Sequence, residues 1–332
     1  MINLSLYFIE GETDLTAVRE LLQKHQDDYP HELVEIDLSQ NKLLRERMSS
    51  PLPVLESGPY HLRSPFSEQD LVVMLSAASQ RRDYFEKTGD KKYLTRVERG
   101  KKITGMDRTV LWLSRHYMLV FNLIVFLYVG LPFLAPVLAK TGRLGPAKVI
   151  YAIYAPLCHQ LAFRSYFLFG DQAVYPLERA HVAGVVPYEQ AIGADKVNIL
   201  EARNYIGNDD IGYKVALCER DIAIYSGFLV FGLLFSLFKK QGKPLHWVIW
   251  IVIGIVPIAV DGLSQLPGLA TNLPVWLPVR ESTPLLRTIT GLLFGLSTAW
   301  FLYPYIAESM NETRAVLLGK LQYVQQISLK GN

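Results

Sequence analysis

Apolar and polar residues follow two different rhythms along this chain of 332 residues. Up to about residue 90, apolar positions come in short runs at strand and helix periods; from Val110 onward they form stretches about twenty residues long. Leu4–Ile9 is an apolar, β-prone run that Gly11 ends. Thr13 or Asp14 is placed to cap a helix through Lys24, with Leu15, Val18, Leu21 and Leu22 on one face. Leu33–Leu38 alternates as a second strand, and a charged helix is expected over 41–48. Pro51–Leu55, a hairpin signal at Ser57-Gly58-Pro59 and a helix over 67–78 capped by Ser67 complete the region. Strands alternating with helices at this length predict a small soluble α/β domain over 1–90.

The later runs call for a bilayer, since a spanning helix needs about 20 mostly apolar residues. Five stretches qualify: 117–139, 149–170, 216–238, 245–266 and 284–306. The predicted fold class is therefore an α-helical polytopic membrane bundle of about five transmembrane helices (109–306), behind an N-terminal soluble α/β domain. The second stretch carries Cys158, His159 and Arg164 at its middle, and a re-entrant path would also accommodate it. In the fifth, Gly291 and Gly295 have the spacing that lets helices pack closely. The segment 267–283, with three prolines and Trp276, suits the membrane interface, and an amphipathic tail over 307–332 is expected along the membrane surface.

Charge refines this picture. Half the residues are apolar and the net charge of +3 averages over unlike parts. Residues 1–90 carry nearly twice as many acidic as basic side chains, whereas the linker 91–108 holds Lys91, Lys92, Arg96, Arg99, Lys101, Lys102 and Arg108 against two acids. Lying directly before the first span, this basic run points to anionic lipid headgroups, not to nucleic acid. Met1–Glu10 reads as a strand and not as a signal peptide, so a cytoplasmic N-terminal domain at the plasma (inner) membrane is expected. The short basic loops at 140–148 and 239–244 argue for the reverse orientation.

Ionisable residues inside apolar runs are costly and usually paired, buried and functional. Following five spans in turn places Cys158-His159-Gln160 with Arg164, Cys218-Glu219-Arg220-Asp221 with Tyr225, Asp261 with Gln265, and Arg287 with Thr290 at one depth, on the side of the N-terminal domain. Helical spacing would put Cys218, Asp221 and Tyr225 on one face. Three readings compete. Cys158, His159, Cys218 and Asp221 or Asp261 form a tetrahedral ligand set for zinc. Alternatively, His159, Asp221 and Asp261 handle protons while Gln160, Arg164, Arg220, Tyr225, Gln265, Arg287 and Thr290 hold an anionic or lipid-derived substrate. The third reading is a structural network that pairs these charges to hold helices together. A dithiol–disulfide switch between Cys158 and Cys218 is a minor fourth.

Two resemblances add to this. Leu6-Tyr7-Phe8, the Gly11 turn and Leu52-Pro53-Val54 resemble a glutaredoxin-like thioredoxin fold. Glu12 and Leu15 stand where that family has its Cys-x-x-Cys, which implies a redox-inactive domain for docking or support, with a protein partner. Cys158-His159-Gln160 with Arg164-Ser165, Cys218-Glu219-Arg220-Asp221 with Tyr225-Ser226-Gly227, Asp261-Gly262-Leu263-Ser264-Gln265, Arg280-Glu281-Ser282 and Arg287-Thr288-Ile289-Thr290-Gly291 resemble an uncharacterised bacterial membrane family, domain of unknown function 2085, over about 146–300. Asp221 stands where that family's Cys-x-Arg-Cys run has its second cysteine, and 171–215 looks like an insertion. The resemblance implies a site without assigning it an activity.

Overall fold

The computed structural model describes residues 1–39, 41–48, 51–237, 242–265 and 280–330. The expected interfacial segment 267–283 therefore lies largely outside the described residues, as do Lys239 and Lys240. Two compact units form: Met1–Tyr117 with Glu308–Asn332, and Met118–Ala307.

The first unit begins β1 (Ile2–Phe8), α1 (Thr16–Lys24), β2 (His31–Asp37), α2 (Lys42–Arg47), β3 (Val54–Ser57), β4 (Tyr60–Arg63), α3 (Glu68–Thr88) and α4 (Lys91–Gly100). The strands form one mixed sheet in the order β2-β1-β3-β4, with β1 and β2 parallel and the other pairs antiparallel. Alternation along β1 sends Ile2, Leu4 and Leu6 to one face, where Val18 and Leu22 of α1 and Leu71 and Leu75 of α3 cover them. Tyr7, Ile9, Val34 and Ile36 occupy the other face. Asn41 accepts the Leu44 N–H, and Ser67 and Asp70 form a reciprocal capping box. α1, however, is capped by neither Thr13 nor Asp14: its N-cap is Leu15 with no side-chain bond, and Asp14 accepts the Thr16 N–H at 2.9 Å. α3 runs well past the expected end at residue 78 because nothing breaks it before Gly89, which takes the left-handed conformation (φ 64°) that closes a helix. The tail does not lie free as an amphipathic segment. It belongs to α12 (Pro284–Lys330), and its Tyr323 and Ile327 pack on the second face of the sheet.

The second unit holds most of α5 (Gly105–Lys140), then α6 (Leu144–Tyr154), β5 (Ser165–Leu168), α7 (Tyr188–Ile192), α8 (Ile199–Asn204), β6 (Gly207–Asn208), β7 (Gly212–Cys218), α9 (Glu219–Leu237), α10 (Trp247–Trp250), a π-turn at Ile251–Ile255, α11 (Val256–Leu263) and the first half of α12. Three described helices are long and apolar enough to cross a membrane: α5, α9 and α12. Trp247–Leu263 is apolar but short; its 17 residues rise about 25 Å against a hydrocarbon core of about 30 Å.

The expected second span does not exist as a helix. α6 stops at Tyr154, and Ser165–Leu168 instead pairs antiparallel with β7 in a three-stranded sheet, order β5-β7-β6. Tyr166, Phe167 and the apolar run Val215-Ala216-Leu217 satisfy a strand as readily as a helix, and periodicity alone does not separate short apolar runs. The third span likewise begins only at Glu219, so Cys218 ends a strand and shares no helical face with Asp221 and Tyr225.

Contacts set the helix directions. Tyr128 meets Tyr225, and the Asn122 amide donates to Ser236, so α5 and α9 are antiparallel. α9 and α12 are parallel, and their backbones touch: a Cβ on Gly291 would lie 2.8 Å from the Arg220 oxygen, and one on Gly295 2.1 Å from the Ile224 oxygen. The small-residue spacing seen in the sequence is thus the α9–α12 seam. Trp250 donates to Thr298 while Ser282 donates to Asp261, so the short apolar helix runs antiparallel to α12.

Candidate functional site

At the junction of β7 and α9, three donor groups from two separate segments converge. The Cys158 sulfur, the Cys218 sulfur and a carboxylate oxygen of Asp221 all lie within 4.8 Å of one another. Both cysteines are free thiols. Cys158 sits in the turn that follows α6, and its sulfur accepts the backbone N–H groups of Gln160 (3.4 Å) and Cys218 (3.3 Å). Cys218 immediately precedes α9, where unsatisfied N–H groups and the helix dipole favour negative charge. Its sulfur lies 3.1 Å from Asp221 Oδ2, and its single S–H serves either that carboxylate or the Cys158 sulfur. The hydrogen bond from Cys218 holds the Cys158 thiol below its ordinary pKa, with burial opposing. The same hydrogen bond, together with burial, pushes Cys218 well above its own. The pair therefore divides into an acceptor sulfur and a donor thiol.

A positive-φ residue shapes this turn. Gln160 has φ 52°, in the left-handed region, which directs its N–H at the Cys158 sulfur. Its side-chain amide donates to the carbonyls of Tyr151 (2.9 Å) and Ala216 (3.0 Å), tying α6 to β7. Behind it lies Lys214, 1% exposed, whose Nζ donates to the carbonyls of Gln160 and Arg203, both at 2.7 Å. Burial pushes its pKa down to about 7.

Beside the cysteines runs a buried ion-pair network. Arg287 of α12 bridges Glu219 (3.2 Å) and Glu281; Glu281 also takes a two-pronged pair from Arg164 (2.9 and 2.9 Å) and one from Arg179 (3.3 Å). A second group centres on buried Asp261, which pairs with Arg220 and Arg280 and accepts from Ser282 at 2.9 Å. Gln265 donates to the Asp261 backbone oxygen at 2.7 Å and leans on its carboxylate at 3.4 Å.

The four sequence clusters do gather at one end of the bundle, but at the other end from that expected. α5 runs from Met118 toward Lys140, and Lys140 pairs with Asp209 in the turn between β6 and β7. α9 and α12 begin at that end, and the short apolar helix finishes there. With no crossing at 149–170, every later segment is inverted relative to a five-span path, so the site lies opposite the point where the chain enters the bundle.

Individual expectations fare unequally. Cys158, Cys218 and Asp221 come together. His159 is exposed and outside the cluster, since adjacent residues in a turn point apart. Tyr225 packs on Tyr128, and Thr290 returns its hydroxyl to the Leu286 carbonyl within its own helix (2.8 Å). Arg164, Arg220 and Arg287 are each matched by a carboxylate. Glu219, Glu281 and Lys214 were missed. Glu219 and Glu281 were visible as acids beside arginines in apolar context, and Lys214 was the lone charge in a short apolar run.

Comparison with known proteins bears on the same region. Residues 211–301 match the family described as "Predicted membrane protein (DUF2085)". An uncharacterized protein of Methanocaldococcus jannaschii, MJ1492, is 26% identical over 204 residues, which is 59% of this chain and 96% of that protein. About two-fifths of this chain thus has no counterpart there. No solved structure matches the chain.

Proposed function

We propose that the membrane unit carries a metal centre of the zinc class, held by Cys158, Cys218 and Asp221 with a fourth coordination position open. The observation that carries it is the convergence of two sulfurs and a carboxylate within 4.8 Å from segments sixty residues apart. Around zinc, a thiolate and a carboxylate oxygen stand roughly 3.5 Å apart and two thiolates about 3.8 Å. Holding the ion therefore needs the widest pair to close by at most about 1 Å and the Cys218–Asp221 pair, at 3.1 Å, to open slightly. Asp221 stands where the resemblance to DUF2085 implies a cysteine, and a carboxylate there supplies a third ligand in place of a thiolate. Three protein ligands with an open position are the arrangement of catalytic rather than structural zinc. The substrate-binding reading of the arginines is weaker, because each is already neutralised.

The reading extends to orientation. With 149–170 not crossing, the basic loop 140–148 remains opposed, but Lys243 falls on the side where α5 enters the bundle, that of the basic run 91–108. We place that side in the cytoplasm and the metal centre at the extracytoplasmic end. Lys91, Lys92, Arg96, Arg99, Lys102 and Arg108 are exposed and suit anionic headgroups. The strand order β2-β1-β3-β4 supports a thioredoxin-like N-terminal domain, without its thiols and used for docking.

Metal analysis of the purified full chain is the test. One equivalent of zinc, lost in both C158S and C218S but retained in H159A, supports the reading; a metal-free wild type after growth and purification with zinc refutes it.

A further inference from the structure

A lysine is almost never fully buried without an anionic partner. Lys214 is 1% exposed, and no carboxylate pairs with it among the described residues. Its ammonium is held by two carbonyl oxygens, those of Gln160 and Arg203, and lies over the Tyr151 ring at 5.7 Å. Tyr151 in turn donates its hydroxyl to the Lys214 carbonyl, and the Arg203 guanidinium donates to the Ala155 carbonyl at 3.0 Å. The bonds to the Gln160 and Ala155 carbonyls fasten the turn 155–160 to β7 and α8, and the other two tie β7 to α6 and α8.

The connection to the sulfur is one residue long. Lys214 grips the carbonyl of Gln160, the residue whose N–H points at the Cys158 sulfur. The opposite end of β7 supplies the Cys218 N–H to that same sulfur. Lys214 and Cys218 thus lie on one strand and fix Cys158 from two directions. Charge completes the case. Two thiolates, one carboxylate and a divalent cation sum to minus one, a charge that burial makes expensive unless a cation lies nearby. Arg164, Arg220 and Arg287 are committed to carboxylates, and the Arg203 guanidinium is turned to the Ala155 carbonyl.

We infer that Lys214 is the positioning and charge-balancing residue of the Cys158–Cys218–Asp221 centre: it holds the Gln160 turn that orients the Cys158 sulfur and supplies the buried positive charge the metal-loaded cluster lacks. This inference rests on the metal reading above and assigns Lys214 no contact with metal or substrate.

The test uses full-length protein in detergent, with cobalt(II) as the probe, in wild type, K214M and K214Q. Cobalt gives a sulfur-to-metal charge-transfer band that reports on thiolate ligation. Loss of an outer-sphere partner commonly costs about 10- to 100-fold in metal affinity, and that loss is expected in K214M, with a shifted band. K214Q, which keeps a donor but no charge, should fall between. Thermal denaturation with and without cobalt supplies a second readout. A merely structural lysine would lower both melting temperatures equally, whereas the inferred role shrinks the gap between them. Wild-type cobalt affinity and band in K214M overturn the inference while leaving the metal centre standing. Absence of cobalt binding in wild type refutes the metal reading itself. If neither variant can be recovered folded, Lys214 serves the fold and the inference fails.

Discussion

Replacing Arg287 with methionine tests how the polar end of the bundle is held together. The side chain is 3% exposed, and its partners Glu219 and Glu281 are 1% and 2% exposed. R287M preserves much of the volume but leaves Glu219 buried with no cationic partner among the described residues. Glu281 keeps Arg164 and Arg179. Removing one member of a buried pair costs about 3–5 kcal/mol, mostly the penalty of the orphaned charge. For a unit the size of Met118–Ala307 that corresponds to a fall on the order of 10 °C in the midpoint of thermal unfolding. The assay is the temperature at which half the detergent-solubilised protein loses its monodisperse elution peak. If the orphan carboxylate is the cause, R287M with E219Q should recover a substantial part of the loss. A midpoint for R287M within about 1 °C of wild type would refute the reasoning, as would a double variant no more stable than the single one.

Other perturbations probe different links. G295V drives a branched side chain into a carbonyl that a bare Cβ would already meet at 2.1 Å; overpacking of about 1–3 kcal/mol and loss of cobalt binding are expected, and unchanged stability would contradict the α9–α12 seam. D221C should keep one equivalent of zinc and strengthen the cobalt charge-transfer band, a result that spectroscopy would deny if Asp221 lay outside the centre. S67A removes the capping box of α3 and should lower the stability of the first unit by about 1 kcal/mol, read by chemical denaturation. Single cysteines at Thr141 and Ala194, in a background with Cys158 and Cys218 replaced by serine, should both react with an impermeant thiol reagent from outside the cell. Labelling of Thr141 alone would restore a crossing at 149–170.

The local choices in the first unit were legible because they depend on neighbours in sequence: β1 by its β-prone apolar run, β2 by alternation, α2 by its charged run and α3 by its Ser67 cap. That α12 packs closely on another helix was legible from Gly291 and Gly295, since small residues at that spacing let two backbones meet; that the partner is α9 came from the fold. The residues of the candidate centre were also marked, because cysteines and charges are conspicuous in apolar runs. What the sequence could not supply was the path between them. A run such as 149–170 is long and apolar enough for a helix, but its helix ends at Tyr154 because Ser165–Leu168 finds its hydrogen-bond partners on β7, a strand fifty residues away. That long-range pairing reversed the polarity of everything downstream and so decided at which end of the bundle the site lies. It also turned His159 outward and Cys158 inward, which no spacing rule could do. The partners of Glu219, Glu281 and Lys214 were likewise settled by tertiary contact, because a buried charge is tolerated only where distant segments bring it a counter-charge or a carbonyl. Sequence by itself determined which groups had to be buried and paired; the fold decided which of them meet.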